Sequence, residues 1–269
     1  MSSDRNPRES AAQQVFGPQA GVYASSPVHV DDPSLDVVRQ MASQPPAGDG
    51  RYEWALDMGT GAGFTAFAMA EFSRHVLAVD PTLGMLQQAQ RIAGERSLSN
   101  VAVSRNVAEA LPVAPGSVDL VTTRMAAHHF LDFEAMLDEV RRVLKPGGVL
   151  LMADSVAPED DSVAEWMNAI ELRRDFSHIQ NRKATHIEGL LEGRGLRVSE
   201  RESTRIGLRF NDWAARTATF EAETKALRND FLEAPDPVKE AFQILPMAGD
   251  EAGDISFSWP CLIFRAVKS

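Results

Sequence analysis

Trp54-Ala55-Leu56-Asp57-Met58-Gly59-Thr60-Gly61-Ala62-Gly63 is a short apolar run that ends in three glycines at alternate positions. The run reads as a buried strand. The glycines let the backbone turn tightly and approach a ligand closely. Phe64 to Phe72 reads as a helix, whose first free N–H groups face the same space. Spacing argues against two nucleotide loops. A dinucleotide loop reads G-x-G-x-x-G, and the sixth position from Gly59 is Phe64, which disfavours a nicotinamide-dependent oxidoreductase. No Lys-Ser or Lys-Thr follows, so the loop is not a P-loop.

Outward from this turn, strands and helices alternate. His75–Val79 reads as a second buried strand closed by Asp80-Pro81, and a helix runs from Thr82 to about Arg96. Val101–Arg105, Val118–Thr122 and Val149–Ala153 read as further strands. The helix Phe133–Leu144 is stopped by Lys145-Pro146-Gly147-Gly148. Such alternation predicts an α/β fold: a Rossmann-like, doubly wound, mostly parallel sheet with helices on both faces. The strands are continuous apolar runs, as both-sided burial requires. Ligands of such sheets bind beyond the carboxyl ends of the strands, at a topological switch point.

The flanks are less regular. Residues 1–49 read as a helical lid segment and linker, with Asp32-Pro33 opening a helix over Leu35–Met41 and a linker at 44–50. Residues 50–269 form the Rossmann-like domain, with cap insertions expected at about 156–185 and 210–247. Ser162–Ser177 is expected to be helical, and Leu196–Ser203 to be a strand. Asn211-Asp212 is expected to cap one long helix to about Leu232, and a terminal strand at Ile255–Val267 is expected to be interrupted by Pro260.

Composition narrows the function. The chain has 269 residues, 44% hydrophobic and 24% charged, which is ordinary for a globular protein. Its 27 Lys and Arg against 38 Asp and Glu give a net charge of −11. That balance opposes a nucleic-acid partner and favours a small molecule. One cysteine, Cys261, excludes a disulfide framework and any site of several thiolates. A polar N-terminus without an apolar signal core and the lone cysteine predict a cytoplasmic protein, and the lack of an apolar run of about 20 residues predicts no stable membrane insertion. A monomer or homodimer is expected.

Four segments carry a resemblance. ALDMGTGAGF, LAVDPTLGML, NVAEALPVAPGSVDLVTTRMAAHHF and EVRRVLKPGGVLLMAD resemble, in order and spacing, the class I S-adenosylmethionine (AdoMet)-dependent methyltransferases. Among these the match is closest to the ubiquinone/menaquinone-biosynthesis methyltransferase-like group, over about residues 50–155, and Phe16–Ala24 resembles that group's N-terminal segment. The resemblance implies AdoMet as cofactor, S-adenosylhomocysteine as product and a small-molecule methyl acceptor. It implies that Asp57, Gly59, Thr60 and Gly61 belong to the loop holding the methionine part. Asp80, 21 positions after Gly59, matches the ribose carboxylate. Pro81 and Met85 match apolar groups flanking the adenine, and Ala108 and Glu109 the segment meeting its ring. Arg124 and Met125 fall near the sulfonium, and Tyr23 matches a position that closes over the cofactor. Many relatives carry Asp at the position of Val107, and valine cannot accept from the adenine amino group; Asn106 substitutes or the contact is absent.

Methyl transfer needs alignment, exclusion of water and, for some acceptors, a base. His128 and His129 follow the fourth strand and read either as a base or acceptor-orienting group, one of them facing the methyl, or as capping or packed side chains. His178 is a further candidate base, and Arg174 a candidate for bidentate recognition of an anionic acceptor. The alternative for that segment is a solvated helix face with a Glu171–Arg174 ion pair, the reading preferred for Arg173. Asp154 orients substrate or simply ends a strand. No metal is expected: Asp160 and Asp161 lack the carboxylate after the fourth strand that metal-dependent relatives need, since Arg124 stands there. Cys261 after Pro260 reads as a buried cysteine rather than a nucleophile. The competing functional reading is a methyltransferase-fold protein that binds AdoMet without catalysis, or that is repurposed for another reaction.

Overall fold

A computed structural model describes residues 7–23, 32–45, 50–217, 220–247 and 253–269, with side chains from residue 11 onward except Val22 and Tyr23. Most of the expected linker therefore lies outside the described residues, as does the side chain of Tyr23. The elements in order are α1 (Pro7–Tyr23), α2 (Pro33–Ala42), β1 (Tyr52–Met58), α3 (Phe64–Ala70), β2 (Ser73–Val79), α4 (Leu83–Glu95), β3 (Val101–Ser104) and β4 (Val118–Arg124). They continue with α5 (Phe133–Val143), β5 (Leu144–Ser155), α6 (Asp161–Arg174), α7 (Ala184–Gly193), β6 (Leu196–Arg209) and α8 (Phe210–Ala215). The chain closes with α9 (Glu221–Leu232), α10 (Asp236–Phe242), β7 (Leu245–Pro246) and β8 (Ile255–Lys268).

The strands form one sheet in the order β3-β2-β1-β4-β5-β8-β6, with β7 paired to β8 off this path. Pairs from β3 to β5 are parallel and those involving β8 are antiparallel. The order reverses at β1, which is flanked by β2 and β4, so a ligand site is expected beyond the carboxyl ends of β1 and β4. Leu56, Leu120, Val121, Leu150 and Leu151 are fully buried at the sheet centre. α5 covers one face with Met136, Leu137 and Val140, and α3 covers the other with Ala66 and Met69.

Two helix starts follow their local chemistry. Asp32 caps α2, its side chain accepting from the Ser34 N–H at 2.8 Å. Asp132 caps α5 in the same way, accepting from the Ala135 N–H at 2.9 Å. Lys145–Gly148 ends α5 as the sequence predicts and opens β5.

The second half corrects the sequence reading in two places. The single helix expected from Asn211 to Leu232 is broken into α8 and α9. Phe210 and Trp213 of α8 and Phe231 of α9 pack on one another and on Phe257, with ring centroids 4.8–5.7 Å apart. A straight helix could not bring both ends onto one cluster. The terminal strand is not interrupted at Pro260. The β5 ladder stops at the Ser155–Cys261 pair, so Pro260 stands where β8 is paired to β6 alone. That edge-like position tolerates a residue without an N–H.

Candidate active site

The glycine turn follows β1 at the point where the sheet order reverses. Gly59 and Gly61 have φ of +63° and +54°, the left-handed region that favours glycine. A Cβ on Gly59 would also lie 2.6 Å from the Ala126 Cβ, whereas one on Gly61 meets open space. We expect Gly59→Ala to destabilise the fold by about 1–3 kcal/mol from backbone strain, with the clash added, and Gly61→Ala to cost less. Denaturant midpoints of the two variants check the order; equal losses would mean that the Ala126 contact yields freely.

Asp80 closes the strand next door. Its Oδ2 accepts from the Gly61 N–H at 2.9 Å and its Oδ1 from the Thr82 N–H at 2.8 Å. The side chain is 7% exposed, and burial pushes its pKa up despite these bonds. A carboxylate with both oxygens holding spare lone pairs can accept further donors. Among the described residues no cation pairs with it. That leaves a carboxyl acceptor at the mouth of a glycine cradle, which suits a ligand group rich in hydroxyl donors.

Turn and carboxylate border a cleft of about 1070 Å³ lined by Gly59, Thr60, Gly61, Asp80, Pro81, Met85, Val107, Ala108, Glu109, Arg124, Met125 and His129. These are residues named from the sequence. Others were not: Ala12 and Phe16 of α1, Phe64, Thr65, Thr82, Phe130 and Leu131. Phe16 lies within the recognised N-terminal segment, so a signal for it existed. α1 lies against α4, and Gln13 Nε2 donates to the Pro81 carbonyl at 3.1 Å. Asn106 does not line the cleft, and its Oδ1 accepts from Ser104 Oγ at 2.7 Å.

Asp57 is placed differently from the expectation. It is buried beneath the turn, with Oδ1 accepting from Thr122 Oγ1 at 2.6 Å, and it does not line the cleft. Burial raises its pKa to about 6, against the pull of its hydrogen bonds and of Arg124. Arg124 ends β4 with its guanidinium buried. Its Nε donates to Thr65 Oγ1 at 3.1 Å and its Nη1 to Ser34 Oγ at 3.4 Å, and Asp32 lies 3.7 Å away. The cation thereby ties α2 to the floor of the cleft.

Past Met125 the cleft meets a second chamber of about 660 Å³. Met125 has φ of +54°, an uncommon conformation for a residue with a Cβ. Its N–H donates to the Ala153 carbonyl at 2.8 Å. Phe16, Met125 and His129 line both spaces. The chamber is completed by His128, Glu171, Arg174, Asn181, Trp213 and Trp259 among others.

His129 stands at the junction with a defined tautomer. Its Nδ1 lies 3.2 Å from the Ser177 carbonyl and 3.3 Å from Ser177 Oγ. The Ser177 hydroxyl donates its own proton to Asp175 Oδ1 at 2.6 Å, so both oxygens face Nδ1 as acceptors. Nδ1 therefore carries the hydrogen, and Nε2 keeps its lone pair. Burial and then the neighbouring His128 charge lower the pKa of His129 to about 4. Phe16 packs edge-on against the ring at 5.0 Å.

His178 does not reach either space. It is 2% exposed, and its Nε2–H donates to Asn168 Oδ1 at 3.0 Å. Burial, and then His128, lower its pKa to about 3. This corrects its expected role: it is a packed support beneath the histidine pair. Arg174 lines the chamber, but the helix face around it is not solvated. Its Nε and Nη2 donate to Glu171 Oε2 at 3.0 and 2.7 Å, and the guanidinium lies 5.0 Å from the Trp213 ring centre. Arg173, by contrast, is exposed and pairs with Glu223 and Asp230. Cys261 is buried, its thiol pushed up to about 12 by burial. Among the described residues no group of three or more His, Cys, Asp and Glu side chains is arranged to hold a metal. No described helix is long and apolar enough to cross a membrane.

Comparison with known proteins matches residues 56–152 to the methyltransferase domain. An uncharacterized methyltransferase of Bacillus subtilis, YcgJ, is 30% identical over 79% of this chain and 83% of its own length. The chain belongs to the methyltransferase family. The crystal structure of YcgJ superposes with a TM-score of 0.80, covering 87% of this chain and 97% of that one. An uncharacterized protein of Escherichia coli, YafE, is 34% identical over 62% of this chain and 80% of its own. The ubiquinone/menaquinone biosynthesis C-methyltransferase of Rubrivivax gelatinosus is 34% identical over 38% of this chain and 39% of its own. The domain match ends just before Asp154, whereas the likeness to YcgJ extends over most of the chain.

Proposed function

We propose that the protein transfers a methyl group from AdoMet to a small-molecule acceptor at carbon, oxygen or nitrogen. The supporting observation is the two-part cavity: a cleft at the switch point, framed by the glycine turn and Asp80, that meets a separate chamber across Phe16, Met125 and His129. A cofactor and an acceptor held in two such spaces can meet only at that junction.

AdoMet, when bound, supplies an electrophilic methyl group on its sulfonium. The residues of the cleft fit it. Asp80 would accept from the ribose hydroxyls, and the Gly59–Gly61 turn lets the backbone approach the methionine part. Met85, Val107 and Ala108 would flank the adenine, in a site where valine makes no hydrogen bond to the amino group. Phe16 and Met125 exclude water from the junction. His129 orients the acceptor, its Nε2 receiving the hydrogen of the acceptor group. A ring this hard to protonate takes the proton only from a group whose acidity rises as the new bond forms.

Calorimetry with AdoMet and with S-adenosylhomocysteine tests the reading. Asp80→Ala should weaken both, because each hydrogen bond to a charged group contributes about 1.5–3 kcal/mol, or roughly tenfold or more in Kd. Unchanged affinity in the variant would remove Asp80 from the site, and no uptake by the native protein would end the proposal. Firm binding with no label transfer to a broad panel of quinols, phenols and amines would favour a non-catalytic or repurposed member.

A further inference from the structure

The proposed transfer leaves one charged group beside the junction without a task. Asp154 ends β5, is 5% exposed, and is engaged on both oxygens. Its Oδ1 lies 2.6 Å from His128 Nδ1 and accepts from the Ser155 N–H at 2.8 Å; its Oδ2 accepts from the His128 N–H at 3.0 Å. The carboxylate thus grips one histidine by ring and by backbone. The other side of His128 is fixed as well, since its carbonyl accepts from the N–H groups of Ile179 and Gln180 at 2.9 and 3.1 Å. The held ring lies 4.2 Å, centre to centre, from the ring of His129.

Resting on the reading of His129 as the group that meets the acceptor, we propose that Asp154 is a positioning residue. It keeps His128 as an imidazolium against His129, and this fixed positive charge keeps a second proton off the nitrogen that faces the acceptor. Asp154 touches neither cofactor nor acceptor and acts only through His128.

The surrounding charges agree with this arrangement. The charged groups acting on the two rings are Asp154 from β5, Glu171 from α6 and Asp175 from the turn after α6; His178 packs beside both rings, Arg174 acts on His178, and Arg182 acts on Asp154. For His128, burial opposes the charged form, but Asp154 by charge and hydrogen bond, then Glu171 and Asp175, outweigh it and hold the pKa above the usual value. For His129, burial and His128 act together against protonation, and Asp175 offsets them only in part. His178 is neutral and adds no charge at neutral pH. The charged form is therefore favoured on the ring that touches Asp154 and disfavoured on its neighbour.

The test is a carbon-13 NMR titration of the six histidines, assigned by single His→Asn variants of the full chain. In the native protein the His128 ring should stay protonated through pH 7, and the His129 midpoint should lie well below 6. In Asp154→Asn, which keeps the shape and the acceptor oxygen, His128 should lose its proton by neutral pH. The His129 midpoint should then rise by roughly 1–3 pH units, the effect of removing a like charge at this separation. A neutral His128 at pH 7 in the native protein would overturn the proposal without any variant. So would an unmoved His129 midpoint in folded Asp154→Asn. Neither outcome depends on AdoMet uptake, so failure here and failure of the methyl-transfer reading are separable.

Discussion

Glu171→Ala should lower stability by about 3–5 kcal/mol, the cost of leaving buried partners of a removed charge uncompensated. The carboxylate is 5% exposed and carries four bonds. Oε1 accepts from Trp213 Nε1 at 3.2 Å and Trp259 Nε1 at 2.6 Å, and Oε2 accepts from two nitrogens of Arg174. Those donors come from α6, α8 and β8, so one side chain joins three elements around the chamber. Alanine leaves two buried indole N–H groups without their acceptor and removes the carboxylate 2.7 Å from the Arg174 guanidinium, with Asp175 more distant at 3.9 Å. The melting temperature should fall by roughly 6–20 °C, at about 2–4 °C per kcal/mol for a domain of this size. Glu171→Gln keeps the oxygen that both indoles need but brings an amide to Arg174, and should lose less. A drop under about 1 kcal/mol in the alanine variant would mean that this helix face is solvated after all.

That solvated face is what local spacing suggests, and the reason it misleads is general. Glu171 and Arg174 are three apart on a helix, the spacing of an ordinary surface pair. Nothing local says that Trp213 and Trp259, 42 and 88 residues further on, close over them. The parallel half of the sheet was legible because each strand and helix there carries its own signal: apolar runs, Asp caps and glycine stops. The cleft at the switch point could be placed for the same reason, since its turn and its carboxylate sit at the ends of adjacent short elements. The lid was not. α1 shows little apolar periodicity and holds Pro18 within it, so Phe16 is placed by its contact with His129 rather than by pattern. Asp57 was assigned to the turn itself and lies buried beneath it, because sequence order does not say which face of a buried strand end looks into the cleft. His128 and His129 were left equivalent by adjacency, and only the separate partners, Asp154 for one and Ser177 for the other, tell them apart.

His129→Asn should reduce methyl transfer by about 10²–10⁴-fold, the usual contribution of a positioned proton acceptor, with a much smaller change in AdoMet affinity. Asparagine is close in size and keeps a polar tip, so Phe16 and Met125 still have a neighbour to pack against. What it lacks is the imine nitrogen proposed to meet the acceptor, because its amide cannot copy the ring that Ser177 holds through Nδ1. Transfer of labelled methyl to quinols, phenols and amines gives the rate, and calorimetry gives the affinity. His178→Asn is the matched control: it removes a ring of the same cluster that lines neither space, and should lower stability more than turnover. Equal turnover in the native protein and the His129 variant would remove that ring from the chemistry. Equal losses of turnover and cofactor affinity would assign it instead to holding the cofactor. Only a loss confined to turnover fits a ring that stands between two occupied spaces and acts on the second.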